Sequence, residues 1–221
     1  MSALAEPALA ALLDGLHAES LGQDEAMGRF FSARVAAGED LSPDRGAVKA
    51  FLTDKLVALD RDKALFCYQL CRSLGARRIV EAGTSHGVST LYLAAALRDN
   101  GGGLVIATEN EPAKAAAARA NFAAAGLADR IELREGDLRE TLADLSGPID
   151  FALIDIWTPL ARPALELVSP HLRPGAAIVC DNTTTYRDYY RDYFDFIADP
   201  ANRLMTTTLP FEGGLEYTIR L

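Results

Sequence analysis

Between residues 78 and 180, five short apolar stretches each run into a loop and then, for the most part, a helical pattern, and this alternation constrains the fold more than any other feature. Residues 78–81, 104–108, 131–133, 149–154 and 176–180 read as strands, and 88–97, 113–125 and a stretch reaching about residue 171 read as helices. Strands that are apolar on both faces are covered on both faces, and helical crossovers return each strand parallel to the last. Residues 204–209 and 215–221 flank Phe211-Glu212-Gly213-Gly214 and predict a closing antiparallel hairpin. The expected fold is therefore α/β: a seven-stranded, mostly parallel sheet with that C-terminal hairpin and helices on both faces.

No strand is expected before residue 77. Residues 3–17 and 25–37 have Ala/Leu-rich helical patterning, Gly38 can end the second helix, and Ser42-Pro43-Asp44 opens another. A further helix runs from residue 60 to Leu74. The chain of 221 residues reads as one domain, 1–221, with a helical N-terminal cap at 1–75 and the α/β core at 76–221. The helical segment packs on that domain as a cap or serves as a homodimer contact.

A formal charge of −9, from 22 basic and 31 acidic residues, repels phosphate backbones and anionic lipid, so neither nucleic acid nor membrane is an expected partner. A neutral or cationic small molecule fits better. No apolar run reaches the ~20 residues of a bilayer span, and no leader is evident at the N-terminus. Cys67, Cys71 and Cys180 form no CxxC and read as buried thiols, consistent with a reducing, cytoplasmic setting.

The segment Glu81-Ala82-Gly83-Thr84-Ser85-His86-Gly87-Val88-Ser89 joins the first strand to its helix. Three chemistries compete for it. A dinucleotide fingerprint requires G-x-G-x-x-G, whereas here the spacing is G-x-x-x-G and a carboxylate precedes it, which disfavours a diphosphate. Gly83-x-Ser85-x-Gly87 matches a hydrolase nucleophile elbow, but only His171 follows it, and helices rather than strands precede it. The third reading is the spacing E-x-G-x-x-x-G-x-S itself, with glycines that let a ligand approach the backbone at the start of a helix.

Acidic residues recur at the later strand ends. Glu109 closes the second strand, where a carboxylate can grip a ribose diol. Gly136-Asp137 follows the third, where Asp137 also suits a helix N-cap. Asp155-Ile156-Trp157-Thr158 follows the fourth and Asp181-Asn182 the fifth. Neighbouring parallel strands lie about 5 Å apart, so two carboxylates and an amide oxygen would converge there, a set suited to Mg²⁺ or Ca²⁺ rather than zinc.

The E-x-G-x-x-x-G-x-S loop resembles the first motif of class I S-adenosylmethionine (SAM) methyltransferases. From about Lys63 onward the chain is similar to the catechol O-methyltransferase-like family. The resemblance implies a Rossmann-like core and transfer of a methyl group from SAM to a small hydroxylated, phenol-like acceptor. It implies cofactor binding by Glu81, Gly83, Thr84, Gly87, Ser89, Glu109, Gly136, Asp137, Asp155 and Trp157. It also implies a divalent ion, Mg²⁺ or another, at Asp155, Asp181 and Asn182. Asp155 sits where donor and ion meet, as a catalytic residue. The family places a lysine three residues after that aspartate; this chain has Thr158, so either metal coordination alone acidifies the hydroxyl, or another group is the base, with His86 a candidate, or the acceptor is not a catechol. Tyr186 and Tyr190, from an aromatic stripe at helical spacing, are expected near the acceptor. His17 and His171 read as structural.

Overall fold

The computed structural model describes residues 2–39 and 46–221, and there the helical texture before residue 77 resolves into α1 (Pro7–Leu21), α2 (Asp24–Ala37), α3 (Gly46–Leu52) and α4 (Arg61–Ser73). Gly38 ends α2 with a left-handed turn at φ 65°, as its sequence position predicts. The expected helix start at Ser42-Pro43-Asp44 lies outside the described residues. His17 is buried and meets the Tyr92 hydroxyl at 3.2 Å, which supports its structural reading.

The core alternates strand and helix: β1 (Arg78–Ala82), α5 (Val88–Asp99), β2 (Leu104–Glu109), α6 (Pro112–Ala124), β3 (Ile131–Glu135), α7 (Leu138–Thr141), β4 (Ile149–Ile154), α8 (Thr158–Val168) and β5 (Leu172–Asp181). After α9 (Arg191–Ala198) come β6 (Leu204–Leu209) and β7 (Leu215–Arg220). The seven strands take the order β3-β2-β1-β4-β5-β7-β6. The first five pair in parallel, and β7 enters antiparallel between β5 and the edge strand β6.

Alternate residues of each strand feed two cores. Ile79, Val105, Phe151, Leu153 and Val179 pack under α4, α5 and α6, whereas Val80, Ile106, Ala152, Ile154 and Ile178 pack under α7, α8 and α9. Ten consecutive residues of α5, Val88 to Leu97, are buried because the N-terminal helices cover its outer side. All three cysteines are buried and unpaired.

Two boundaries depart from the sequence reading. Strand β5 starts at Leu172 rather than 176, because a register shift opposite Ile149 and Phe151, with Gly175 at φ 76°, carries Pro174 within the strand. The aromatic stripe that reads at helical spacing from Tyr186 begins as a tight 3₁₀ turn, Arg187–Tyr190, and becomes α-helical only at Arg191. Tyr190 and Tyr193 then meet edge to face at 5.8 Å inside the second core. No helix among the described residues is long and apolar enough to cross a membrane.

Candidate active site

The strand order turns outward in both directions from β1 and β4, and at such a switch point the loops leaving the carboxyl ends diverge and leave a crevice. Here it holds about 690 Å³. Its wall is built from Gly83, Thr84, Ser85, His86 and Ser89 after β1, Glu109 at the end of β2, Gly136 and Asp137 after β3, Asp155, Trp157 and Thr158 after β4, and Asp181 and Asn182 at the end of β5.

Gly83 has φ 95°, and a Cβ there would stand 2.0 Å from the Asp155 carbonyl oxygen. A side chain is excluded, so the loop backbone is bare where it crosses the end of β4. Gly87 has a different task. At φ 84° it caps α5, and a Cβ would lie 2.3 Å from the Phe122 ring, so it is needed for packing on α6 and does not face the crevice. Glu81 also departs from its expected role. Fully buried and absent from the crevice wall, it accepts hydrogen bonds from the Thr84 hydroxyl at 3.2 Å and from the Thr90 hydroxyl, bracing the loop from behind. Burial pushes its carboxyl up to about 7, against the pull of those hydroxyls.

Glu109 is oriented by three backbone N–H groups: Ser85 donates to Oε2 at 2.6 Å, and Asn110 and Glu111 each donate to Oε1 at 2.8 Å. Two carboxylate oxygens can accept about four bonds, so capacity remains for a ligand. Asp137 is the N-cap of α7, accepting from the Arg139 N–H at 2.9 Å, and its pairing with the Arg139 side chain holds its carboxyl down at about 2. Both the cap and the crevice positions foreseen for it coexist. The Trp157 ring lies on the wall at the start of α8.

Asp155 and Asp181 each follow a mutually paired residue, Ile154 and Cys180, and so leave adjacent strands side by side. Burial, then the negative charges of Asp181 and Glu81, drive the Asp155 carboxyl well above the usual carboxylate range. Burial raises Asp181 too, opposed by a residue that the sequence reading did not single out. Lys63, in the first turn of α4, places its Nζ 2.8 Å from Asp181 Oδ1 and 2.9 Å from Asp60 Oδ2. Burial opposes the Lys63 charge, but its two carboxylate partners prevail and its ammonium holds its proton more tightly than usual. A lone lysine among the charged residues of a helix start carries no motif, so only the fold reveals it.

The pair tests well as a seat for a hard divalent cation. Asp181 Oδ1 is buried with no partner among the described residues besides the Lys63 ammonium, and the two carboxylates are crowded at a cost in charge. Asn182 donates its Nδ2 to Asp181 Oδ2 at 2.9 Å, and its oxygen lies against Gly213, where a Cβ would come within 2.6 Å of it. Turning that amide over presents the oxygen to the pair. Among the described residues no three His, Cys, Asp or Glu side chains gather as a metal-binding group, so the pair would need a donor of another type, and Asn182 is the amide beside it.

Other expected residues sort by position. His86 lines the crevice, and burial and then Lys114 lower its pKa, but its charged neighbours are Lys114, Glu19 and Glu109, none of which surrounds Asp155. Its ring approaches the Ser85 hydroxyl at 3.3 Å. His171 precedes β5, at the amino edge of the sheet, so the elbow serine has no downstream histidine and the hydrolase reading fails. Tyr186 and Tyr190 both reach the crevice, and Tyr189 joins them. Tyr190 also donates its hydroxyl to the Asp181 carbonyl at 3.0 Å. Glu216 is buried and accepts from Thr206 and Thr208, away from the crevice. The sequence reading missed the roof: Met27, Phe31, Lys49, Leu52, Leu56 and Val57 of the cap close over the wall. Phe30 and Phe51 stack at 3.8 Å and tie α2 to α3.

Known proteins resemble this chain in sequence and fold. The family described as a methyltransferase domain matches residues 80–183. A catechol O-methyltransferase of Mycobacterium tuberculosis is 35% identical over 127 residues, 57% of this chain and 57% of that protein, so the match spans little more than half the length of the curated relative. The crystal structure of cofactor-bound Rv0187 from MTB superimposes with a TM-score of 0.69 at 25% identity, covering 86% of this chain and 94% of that one. The O-methyltransferase TomG of Streptomyces achromogenes, solved in complex with SAM and involved in tomaymycin synthesis, gives 0.67 at 25% identity, with 82% of this chain and 90% of that one covered. Residues 80–183 thus match the methyltransferase-domain family, and the chain shares its Rossmann-like fold with cofactor-bound and SAM-bound methyltransferase structures.

Proposed function

We propose that this chain is a SAM-dependent O-methyltransferase acting on a small, hydroxylated, ring-bearing acceptor with the help of a divalent cation. The observation that carries the reading is the crevice itself, whose wall combines the bare backbone of Gly83 with Glu109, Asp137 and Asp155. Such a surface attracts a ligand that bears an ammonium and a sulfonium. The bound donor supplies an electrophilic methyl carbon.

The protein's own part is alignment and exclusion of water, since an in-line displacement gains most from fixed geometry. Glu109, already aimed by three N–H groups, offers its remaining lone pairs to the ribose diol. Ser89 and Thr84 line the methionine end, and Trp157 and the Gly136 backbone border adenine. The acceptor ring lies under Met27, Phe31 and Val57 and beside Tyr186 and Tyr189, an apolar and aromatic enclosure. The name of the curated relative supports a catechol-like compound.

Asp155, Asp181 and Asn182 hold the cation, with Mg²⁺ favoured by the all-oxygen set. Such an ion, when bound, lets an acceptor hydroxyl ionise near neutral pH. Thr158, where the family carries a lysine, adds no charge to that process. A second reading, transfer without a metal, has one observation in its favour: Lys63 already lends Asp181 a positive charge. The free buried thiols support a reducing, cytoplasmic setting.

The test is methyl transfer from labelled SAM to catechol and related phenols, with and without EDTA, beside calorimetry with S-adenosylhomocysteine. Heat of binding and chelator-sensitive transfer are expected. Turnover that survives EDTA selects the metal-free reading, and absence of any binding overturns both.

A further inference from the structure

Of the described lysines and arginines, Lys63 is the most deeply buried, at 1% exposure, and the metal-assisted transfer outlined above gives it no task. It is not part of the crevice wall, although Asp181 is. The ammonium therefore approaches Asp181 from behind, out of α4, while the same carboxylate opens forward into the crevice. Asp181 Oδ2 is taken by the Asn182 amide at 2.9 Å, and Oδ1 has the ammonium as its only partner among the described residues.

We propose that Lys63 is a positioning residue that competes with a divalent cation for Asp181 and so keeps the seat weak and exchangeable; this rests on the metal-assisted reading above. A buried ammonium 2.8 Å from a carboxylate oxygen cannot withdraw into water, and it repels a second cation on that carboxylate with little screening. It also fixes the carboxylate in place, so the seat stays shaped when empty of metal. Asp60 modulates the contest. Half-exposed, at the N-cap of α4, it draws on the same ammonium at 2.9 Å and lessens the grip of that ammonium on Asp181.

The experiment measures Mn²⁺ binding by electron paramagnetic resonance in the parent, Lys63→Met, Lys63→Arg and Asp60→Asn proteins, with S-adenosylhomocysteine affinity and thermal midpoint recorded alongside. Lys63→Met is expected to bind Mn²⁺ at least tenfold more tightly and to gain more thermal stability from Mn²⁺ than the parent. Lys63→Arg retains the cation and stays within threefold of the parent. Asp60→Asn frees the whole ammonium for Asp181 and weakens Mn²⁺ at least threefold. Equal or weaker Mn²⁺ binding by a folded Lys63→Met protein overturns the proposal. Should that variant fail to fold, Asp60→Asn decides, and unchanged or tighter binding there is the overturning result. If neither parent nor variants bind Mn²⁺ while S-adenosylhomocysteine still binds, Lys63 competition and the metal both fall and methyl transfer stands. A parent without S-adenosylhomocysteine affinity instead sinks the methyltransferase reading, and the Mn²⁺ series still decides the role of Lys63.

Discussion

Glu81 gives the most quantitative prediction, because its carboxyl is fully buried and shielded from solvent screening. In the unfolded chain it ionises near 4.5; in the folded protein, burial moves ionisation to about 7. Below the lower value both states hold the proton and the residue contributes no pH dependence. Between the two, the unfolded chain sheds its proton and the folded protein does not, so stability falls as pH rises. Above the upper value both are ionised and the loss is complete. The interval corresponds to about 3 kcal/mol. Glu81→Gln keeps an acceptor for the Thr84 and Thr90 hydroxyls and removes the titration. Urea unfolding of parent and variant, run in parallel at about pH 4.5 and about pH 8, cancels the titrations they share. The stability of the variant relative to the parent is expected to improve by about 3 kcal/mol from the lower pH to the higher. A difference that stays constant with pH would refute the claim that Glu81 is buried with a displaced ionisation.

Three further outcomes follow from the geometry. Glu109→Gln removes a charged acceptor worth roughly 1.5–3 kcal/mol to a bound diol, so calorimetry should record S-adenosylhomocysteine affinity lowered about tenfold or more, and unchanged affinity contradicts ribose binding there. Gly83→Ala forces a side chain onto the Asp155 carbonyl at positive φ. A cost of about 3 kcal/mol, read as a fall of roughly 6–12 °C in Tm, is expected, and a shift under about 2 °C would contradict the close approach. Asp155→Asn relieves a crowded buried charge while removing an oxygen at the reacting edge. Radiolabel transfer should drop by about a hundredfold or more with Tm unchanged or raised, and retained transfer would remove Asp155 from catalysis.

The sheet was legible because its central strands are apolar on both faces and glycine or proline punctuates the connections, so β1 to β4 fall within two residues of their expected ends. Pro174 hid the start of β5, since a proline reads as a strand boundary unless a bulge accommodates it. The crevice was legible wherever a polar residue ended a strand, as at Glu109, Asp155 and Asp181. Glu81 and Gly87 match their motif yet turn away from the crevice, because a motif fixes spacing along the chain and not which side of a loop faces a ligand. Lys63 and the apolar roof escaped notice for the opposite reason. Their significance lies in long-range contacts between the cap and the sheet, and nothing local distinguishes Met27 or Leu52 from an ordinary core residue.

The roof comes from residues 27–57 and the polar floor from residues 83 onward, so the two halves of the enclosure occupy separate stretches of sequence. Substitutions in α2 and α3 can therefore reshape the space offered to the acceptor while the strand ends below stay as they are. Selectivity in such a protein can drift under mutation, or be redesigned by exchanging α2 and α3, with the strand-end carboxylates and the Asp60–Lys63–Asp181 network left in place.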